Sequence, residues 1–233
     1  MDNLKKILDN FLSDQDERLS KRTYNDYSNV ISLFEDYLNS YAYNFLPEEE
    51  QDNFEEKAIF GEGNYCEMYA IDKLSSMQID DFMTDFMIRK VMAEKYLMKK
   101  TVTVMRRFSK WLKNNDYITE EKFNIIYSTV NEKKDILPNA VELSDLIYDE
   151  SIKNEFNKYN SYVEGNYAIT KIKPGKLWVK DYIEGGEEVG PVVVTKKITD
   201  LTEKDFFVYL ELGEKNGKYY IVNSGHVYPV WLL

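Results

Sequence analysis

The residues with the clearest chemical potential in this 233-residue sequence are the lysines and arginines between Arg89 and Lys113. The stretch holds nine basic residues and one acidic residue, Glu94, so its local charge is +8 in a chain of net charge −11. Arg106, Lys110 and Lys113 recur at i, i+4 and i+7 and therefore share one side of a helix. A row of cations on a helix suits contacts with phosphate groups. The candidate phosphate-binding residues are Lys99, Lys100, Arg106, Arg107, Lys110 and Lys113, together with Lys21 and Arg22.

Two other interpretations of this basic stretch stay open. The acidic run Glu48–Glu56 can fold back onto the cations and neutralise them, or the stretch can be an ordinary solvated face. The net charge of −11 also argues against a generic binder of nucleic acid or anionic membrane, because both ligands repel a negative surface. Phosphate binding by this chain would therefore depend on the local segregation of charge.

Catalytic arrangements are missing from the sequence. It contains one histidine, His226, and one cysteine, Cys66, which together cannot complete a Cys/His zinc site. The segment GEGNYCEM lacks the Lys-Ser/Thr that ends a P-loop. Asp81 and Asp85 share one helix face, but in a chain with 41 acidic residues such a pair is typical of a solvated surface. We expect neither an enzyme nor a bound metal or cofactor.

The part of the chain up to about Ser161 has helical periodicity and predicts a helical bundle. Ser20 and Thr119 are placed to cap two of its helices, and Pro138 precedes a further, weaker helix. An insert over about residues 47–74 reads as an acidic helix followed by a loop. The apolar stripes are Leu4/Ile7/Leu8/Phe11/Leu12, Tyr27/Val30/Ile31/Phe34/Leu38/Tyr41, Ile79/Phe82/Met83/Phe86/Met87, Val102/Met105/Phe108/Ser109/Leu112 and Phe123/Ile126/Tyr127/Val130.

Residues 162–233 change to the alternation and turn residues of β-structure. Eight of the ten glycines lie at or after Gly165, whereas all eight methionines lie at or before Met105. Asn216-Gly217 between two alternating runs predicts a hairpin. Three strands, a short helical link over ITDLTEKD and two or three further strands, the last in VYPVWLL, predict a small all-β barrel. Their order resembles an OB-fold more than other small barrels, so the expected fold class is α + β in two parts, divided at 161/162.

Aromatic residues of the β part form a second candidate surface, made of Trp178, Tyr182, Tyr209, Tyr219 and Tyr220. Barrels of the OB type stack nucleic-acid bases on such side chains. Strand alternation points about half of these aromatic side chains inward, where they would only pack the core. The nine lysines and ten acidic residues of the β part do not by themselves attract an anion.

The N-terminus has neither a continuous apolar run nor a small-residue cleavage site, and no segment contains enough apolar residues to span a bilayer. We therefore expect a cytoplasmic protein with no membrane partner.

A family resemblance supports the phosphate-binding interpretation. The segments LSKRTYNDYSNVISLFEDYL, IDDFMTDFM and KKTVTVMRRFSKWLKNNDYI resemble the N-terminal core-binding, SAM-like helical domain of tyrosine recombinases and phage integrases over roughly residues 4–120. The resemblance implies a helical bundle that grips DNA with basic helix faces. The residues that match the family pattern are Ser20, Thr23, Tyr27, Phe34, Thr101, Phe108, Trp111, Leu112, Tyr117 and Ile118.

The sequence also departs from this family. The recombinase catalytic domain uses two arginines, a lysine, histidine-type residues and a tyrosine nucleophile, but this chain has no arginine after Arg107 and only His226 as histidine. The resemblance therefore implies the DNA-gripping part without the catalytic part. We expect a non-catalytic DNA-associated protein. The alternatives are a protein–protein interaction adaptor without nucleic-acid contact and, as a third hypothesis, an enzyme that uses carboxylates alone.

Overall fold

The secondary structure changes from helices to strands once along the chain. The structure, a computed structural model, describes residues 2–61, 63–183 and 185–229. The helices before the change are α1 (Leu4–Asp16), α2 (Lys21–Tyr41), α3 (Glu48–Ile59), α4 (Tyr65–Met68), α5 (Ser76–Asp81), α6 (Lys95–Asn114) and α7 (Glu120–Asn154). Short 3-10 turns lie at Ala42–Phe45 and Ile71–Lys73, and a π-helix covers Phe82–Lys90. The prediction of a helical part followed by a β part is confirmed.

The predicted helix starts are confirmed where a side chain caps them. The Ser20 hydroxyl accepts the Thr23 N–H at 3.4 Å at the start of α2, and the Thr119 hydroxyl accepts the Lys122 N–H at 3.2 Å before α7. The predicted separate helix after Pro138 is wrong, because α7 continues through this proline. Pro138 removes one backbone hydrogen bond, but Leu137 and Ala140 on either side of it are completely buried, and their burial favours continuing the helix.

The insert over residues 47–74 begins with the expected acidic helix, α3, but the rest of it is not a simple loop. It contains α4 and a 3-10 turn, and it buries Tyr65, Cys66, Ile71 and Leu74. This part of the insert therefore contributes to the core, which its polar and glycine-containing sequence did not indicate.

The strands form one five-stranded sheet with the order β1-β2-β3-β5-β4, closed by pairing of β1 with β4. They are β1 (Ser161–Lys173), β2 (Lys176–Asp181), β3 (Val189–Val193), β4 (Phe207–Lys215) and β5 (Lys218–Tyr228), with the short helix α8 (Lys196–Leu201) between β3 and β4. All neighbouring pairs are antiparallel except β3 and β5, which are parallel. The hairpin predicted at Asn216-Gly217 joins β4 to β5 and is confirmed. Of the segment VYPVWLL, residues 230–233 lie outside the described part of the chain.

The chain forms two compact units that are not divided at the change from helix to strand. One, which we call the helical unit, runs to Phe86 and includes Leu97–Lys134. The other, which we call the sheet unit, contains Met87–Tyr96 and the chain from Asp135 onward. The second half of α7 thus belongs with the sheet. The division at 161/162 as a boundary between folding domains stays a prediction.

Aromatic rings fill the centre of the helical unit. Phe34 from α2 has its ring centroid 4.9 Å from that of Phe82 and 6.2 Å from that of Phe108 on α6. Phe11 from α1 lies 5.1 Å from Phe108 on another side. Because Phe11, Phe34, Phe82 and Phe108 are at most 1% exposed, the helices that carry them are fixed against each other.

The core of the sheet unit is formed by inward-facing strand residues and by α7. Ala140, Leu143 and Ile147 on α7 are buried in the same apolar cluster as Ile169 and Leu210 of the sheet. A second packing contact is made by the Tyr159 ring at Gly213 on β4. An added Cβ at Gly213 would lie 2.5 Å from Cδ2 of Tyr159. The glycine thus lets the Tyr159 ring lie directly on the β4 backbone.

Replacing Phe34 with alanine should destabilise the helical unit by about 3–5 kcal/mol, because it opens a cavity among aromatic rings that cannot close around it. Urea unfolding followed by circular dichroism measures this loss. Phe34→Leu is the matched control and should lose clearly less stability, since it keeps most of the apolar volume. Equal losses in the two variants would contradict the packing described for this ring.

Candidate anion-binding site on helix α6

Helix α6 sorts its residues into a buried apolar face and an outer cationic face. Met105, Phe108 and Leu112 are buried on one side. Two polar residues on the buried side bond to their own helix, since the Thr101 hydroxyl donates to the Leu97 carbonyl at 3.0 Å and the Ser109 hydroxyl donates to the Arg106 carbonyl at 3.0 Å. Burial of the apolar face therefore determines that the cations between these residues point outward.

The outward side of α6 forms one wall of an open cleft of about 190 Å³. Its lining residues are Tyr27, Thr103, Arg106, Arg107 and Lys110. The four residues from α6 lie at i, i+3, i+4 and i+7, the spacing of a single helix face. The Thr103 hydroxyl donates to the Lys99 carbonyl at 2.8 Å, and the three cations supply the charged hydrogen-bond donors of the cleft.

Tyr127 on α7 orients two of these cations. Arg106 donates from Nη2 to the Tyr127 hydroxyl at 3.0 Å, and Lys110 Nζ lies 5.0 Å from the Tyr127 ring centroid. The hydrogen bond from Arg106, assisted by Lys110, lowers the pKa of Tyr127 below its ordinary value because the two cations favour the phenolate. The direction of this pKa shift indicates a positive electrostatic potential at the Tyr127 hydroxyl.

The predicted cations of α6 differ in their pairing. Lys100 forms an ion pair with Asp26 at 2.8 Å, and Lys113 pairs with Glu120 while its Nζ lies 4.9 Å from the Phe123 ring centroid. Within the described part of the chain, the remaining predicted cations of α6 have no ion pair. These are Lys99, Arg106, Arg107 and Lys110. The positive charge of the site is therefore concentrated on part of the predicted row.

The acidic helix α3 does not neutralise this cleft. Glu50 pairs with Lys73 at 2.6 Å, and Phe54 stacks on Tyr43 with ring centroids 5.2 Å apart. In the described residues, no ion pair joins any acidic side chain between Glu48 and Glu56 to α6. In the described residues, ion pairs from the acidic run thus do not compensate the cations of α6.

Lys21 and Arg22 lie exposed in the first turn of α2. Neither side chain lines the cleft, whereas Tyr27 from the same helix does. Their part in phosphate binding stays a prediction.

The five predicted aromatic residues of the sheet have different surroundings. Tyr182 is exposed and meets the Phe207 ring edge-on at 6.1 Å, and the Tyr209 hydroxyl donates to Glu164 at 2.8 Å. Tyr219 packs partly against the core, and the Tyr220 ring lies 5.8 Å from that of Tyr159. Trp178 is half-buried beneath two lysines, with Lys171 Nζ 4.8 Å from its ring centroid. The five residues therefore do not share one set of contacts.

His226 lines an open cleft in the sheet unit together with Ser144 and Asp145. The Ser144 hydroxyl donates to the Ala140 carbonyl at 3.0 Å and accepts the Val227 N–H at 2.8 Å, so it ties β5 to α7. Burial and the neighbouring carboxylates raise the pKa of Asp145. Among the residues described, no hydrogen bond joins these three side chains, and the arrangement lacks the relay of a hydrolase triad. This grouping was not visible in the sequence because Ser144 and His226 lie far apart along the chain.

The acidic pair Asp81 and Asp85 lies at the end of α5 and in the π-helix that follows it. Asp81, the first member of the i, i+4 acidic pair, accepts a hydrogen bond from the Tyr37 hydroxyl at 2.7 Å. Among the described residues, no group of three or more His, Cys, Asp or Glu side chains is arranged to bind a metal ion. In the same residues, none of the helices combines the length and apolar character required to cross a membrane.

Comparisons of the chain with models of protein families, with curated proteins and with solved structures found no match. The resemblance to the core-binding domain of tyrosine recombinases therefore stays a prediction.

Sequence reasoning missed Tyr27, Thr103 and Tyr127. Thr103 could have been found, because it lies three residues before Arg106 on the same helix face. Tyr27 and Tyr127 come from other helices, and their approach to α6 depends on tertiary packing.

Arg106→Gln should raise the pKa of Tyr127 toward its ordinary value of 10.0, because the phenolate loses the hydrogen bond and charge that favour it. A ¹³C NMR titration of labelled tyrosine, assigned with Tyr127→Phe, measures the shift. Arg107→Gln removes the same charge without removing a hydrogen bond to Tyr127, and it should move the pKa less. A Tyr127 pKa that stays unchanged in Arg106→Gln would contradict the orientation of Arg106.

Proposed function

We propose that this chain is a non-catalytic DNA-associated protein in which the outer face of α6 holds backbone phosphates. The observation that carries the proposal is the open cleft with three cations, Arg106, Arg107 and Lys110, which have no ion pairs in the described residues of a chain of charge −11. In a strongly acidic protein, an uncompensated group of cations favours an anionic ligand.

The length of the cationic row favours a polyanion over a small anion. Lys110 lies eleven positions after Lys99, which corresponds to about 16 Å along a helix axis. A DNA strand carries one phosphate per about 3.4 Å of duplex axis, so a row of this length can follow several phosphates. Guanidinium groups also bind phosphate oxygens in a bidentate manner, and the site contains two of them.

The resemblance to the recombinase core-binding domain supports the same function. Its matching residues have the roles that a bundle of this type requires, since Ser20 caps α2 and Phe34, Phe108 and Leu112 are buried. We propose a SAM-like bundle for the helical part on this basis. We also propose a cytoplasmic location for the protein, which is compatible with DNA as its ligand.

For the β part we propose a small barrel of the OB type. The order β1-β2-β3-β5-β4, the parallel pairing of β3 with β5 and the helix α8 between β3 and β4 support this assignment. These connections make a five-stranded, Greek-key sheet of the kind found in OB-folds.

A protein–protein adaptor is the second candidate function. It is favoured by large apolar side chains at the end of α7, where Tyr148 and Ile152 are 56% and 49% exposed and Phe156, just beyond the helix, is 89% exposed. Exposed apolar residues in one row are a feature of protein-binding surfaces. A chain that binds no DNA at low salt would favour this candidate.

Neutralising the α6 cleft should weaken binding to duplex DNA and flatten its salt dependence. For the triple variant Arg106→Gln/Arg107→Gln/Lys110→Gln we expect an affinity loss of more than about tenfold at low salt. The slope of log affinity against log salt should become shallower by about 2.7, since each lost phosphate contact removes about 0.9. Fluorescence anisotropy with a labelled 20-base-pair duplex across a salt series measures both quantities.

The matched control is Lys134→Gln/Lys158→Gln/Lys204→Gln, which removes three exposed lysines and changes the net charge equally. Its slope and affinity should stay close to those of the unmodified protein. No detectable duplex binding by the unmodified protein would rule out the proposal. An equal loss in the control would show that net charge, and not the α6 cleft, is responsible.

A further inference from the structure

Trp178 occupies a distinctive place on the outer face of the sheet. It lies in β2 between Leu177 and Val179, which are 1% and 0% exposed and point into the core. Strand alternation therefore directs Trp178 outward, where it is half-buried. Packing of the core therefore does not explain why a tryptophan occupies this position.

The ring is held close to the sheet by a glycine on the neighbouring strand. At Gly190 in β3, an added Cβ would lie 2.5 Å from Cδ1 of Trp178 and 3.1 Å from the Leu177 carbonyl oxygen. The indole therefore lies against the β3 backbone in a fixed place, and this pre-organisation lowers the cost of binding a ligand.

Four lysines surround this indole. Lys171 Nζ and Lys173 Nζ lie 4.8 Å and 5.7 Å from the ring centroid, and Lys176 and Lys180 are exposed on either side of Trp178 in its own strand. In the part of the chain that the structure describes, none of the four forms an ion pair. The β1–β2 hairpin thus holds four of the nine lysines of residues 162–233 in a small area.

Two carboxylates near this hairpin accept hydrogen bonds, and the four lysines of the hairpin outnumber them. Glu188 accepts a hydrogen bond from the Thr170 hydroxyl at 2.7 Å, and Asp181 accepts the Ile183 N–H at 2.9 Å. The balanced charge of the whole β part therefore hides a local cationic area centred on an aromatic ring.

A ligand that matches this surface needs a flat π face to stack on the indole and negative charges within reach of the lysines. An unpaired nucleotide has both features in one unit, because its base stacks and its flanking phosphates attract cations. A base inside a duplex is already stacked on its neighbours and cannot reach the ring without leaving the helix.

We propose that the β1–β2 hairpin binds single-stranded nucleic acid, with one base stacked on Trp178 and the flanking phosphates bound by Lys171 and Lys173. This proposal rests on the proposed DNA association and names a ligand class for a separate surface. On binding, the base replaces the two ammonium groups over the ring, and these move to the phosphates.

The test compares Trp178→Ala with Trp178→Phe in the full-length chain. Fluorescence anisotropy with labelled 12-nucleotide oligodeoxythymidylate at low salt should show that Trp178→Ala weakens binding by about fivefold to a hundredfold. Trp178→Phe keeps a stacking face and should retain most of the affinity. Phe60→Ala removes an aromatic side chain that is 72% exposed at the end of α3, and it should bind as the unmodified protein does.

Thermal unfolding of each variant controls for loss of fold. If Trp178→Ala unfolds at a clearly lower temperature than the unmodified protein, the Lys171→Gln/Lys173→Gln variant is tested instead. This variant neutralises the two charges and keeps the ring. This variant should also lose single-strand affinity. An oligouridylate of equal length serves as a second arm. A Trp178-dependent loss in either arm supports the stacking site, and the arm that binds more tightly shows which of the two oligonucleotides is preferred.

Duplex DNA separates this proposal from the α6 site. Trp178→Ala should leave duplex affinity unchanged, whereas Arg106→Gln/Arg107→Gln/Lys110→Gln should lower it. If the duplex result holds but Trp178→Ala binds single strands as tightly as Phe60→Ala does, the stacking site is wrong and the α6 site stands. If the unmodified protein binds neither form, both proposals fall.

Discussion

The packing of Phe108 against Phe11 and Phe34 determines how the candidate site is presented. These three rings join α6 to α1 and α2 with centroid separations of 5.1 and 6.2 Å from Phe108. Once Phe108 is buried, the helix has only one rotational setting about its axis, and the residues on the other side must face solvent. Arg107 and Lys110 are exposed for this reason. The packing of these rings thus sets the direction of the charges, although it contributes nothing to the chemistry of the site itself.

In the sheet unit, close approach of rings to backbone has a comparable role. Tyr159 lies on Gly213 and Trp178 lies on Gly190, and in both places a Cβ would overlap the ring. The two glycines therefore fix where aromatic side chains can cover the outer face of the strands. One of these rings, Trp178, is surrounded by lysines, and the other packs against Tyr220. Close packing of a ring on a glycine thus supports a cationic surface at Trp178 and a structural contact at Tyr159.

Charge is distributed in this protein by pairing as well as by position. Asp26 and Glu120 neutralise two cations of the α6 row, Lys100 and Lys113. In the sheet unit, Glu142 pairs with Lys95 and Lys197, and these lysines lower the pKa of Glu142. In the described residues, the α6 cations without an ion pair are Lys99 and the group around Arg106. A net charge of −11 is therefore compatible with a local anion site, because the excess acidic residues lie elsewhere.

The sequence by itself determined the features that depend on local periodicity. The stripe through Met105, Phe108 and Leu112, the Ser20 cap and the Asn216-Gly217 hairpin all follow from spacing within a few residues, and the structure confirms them. Spacing also placed the α6 cations on one side of a helix. These features could be read because the helical and strand repeats are short-range properties of the backbone.

Only the tertiary structure decided which cations remain without an acidic partner. Asp26 meets Lys100, and Tyr127 receives Arg106, through contacts between helices far apart in the chain. It also decided that α7 continues through Pro138, where Leu137 and Ala140 are buried and Ala140 lies in a core that includes the sheet. Local sequence patterns do not contain this information, because it depends on which residues from distant parts of the chain pack together and exclude water. The row of cations was therefore predictable, but the cleft that concentrates their charge was not.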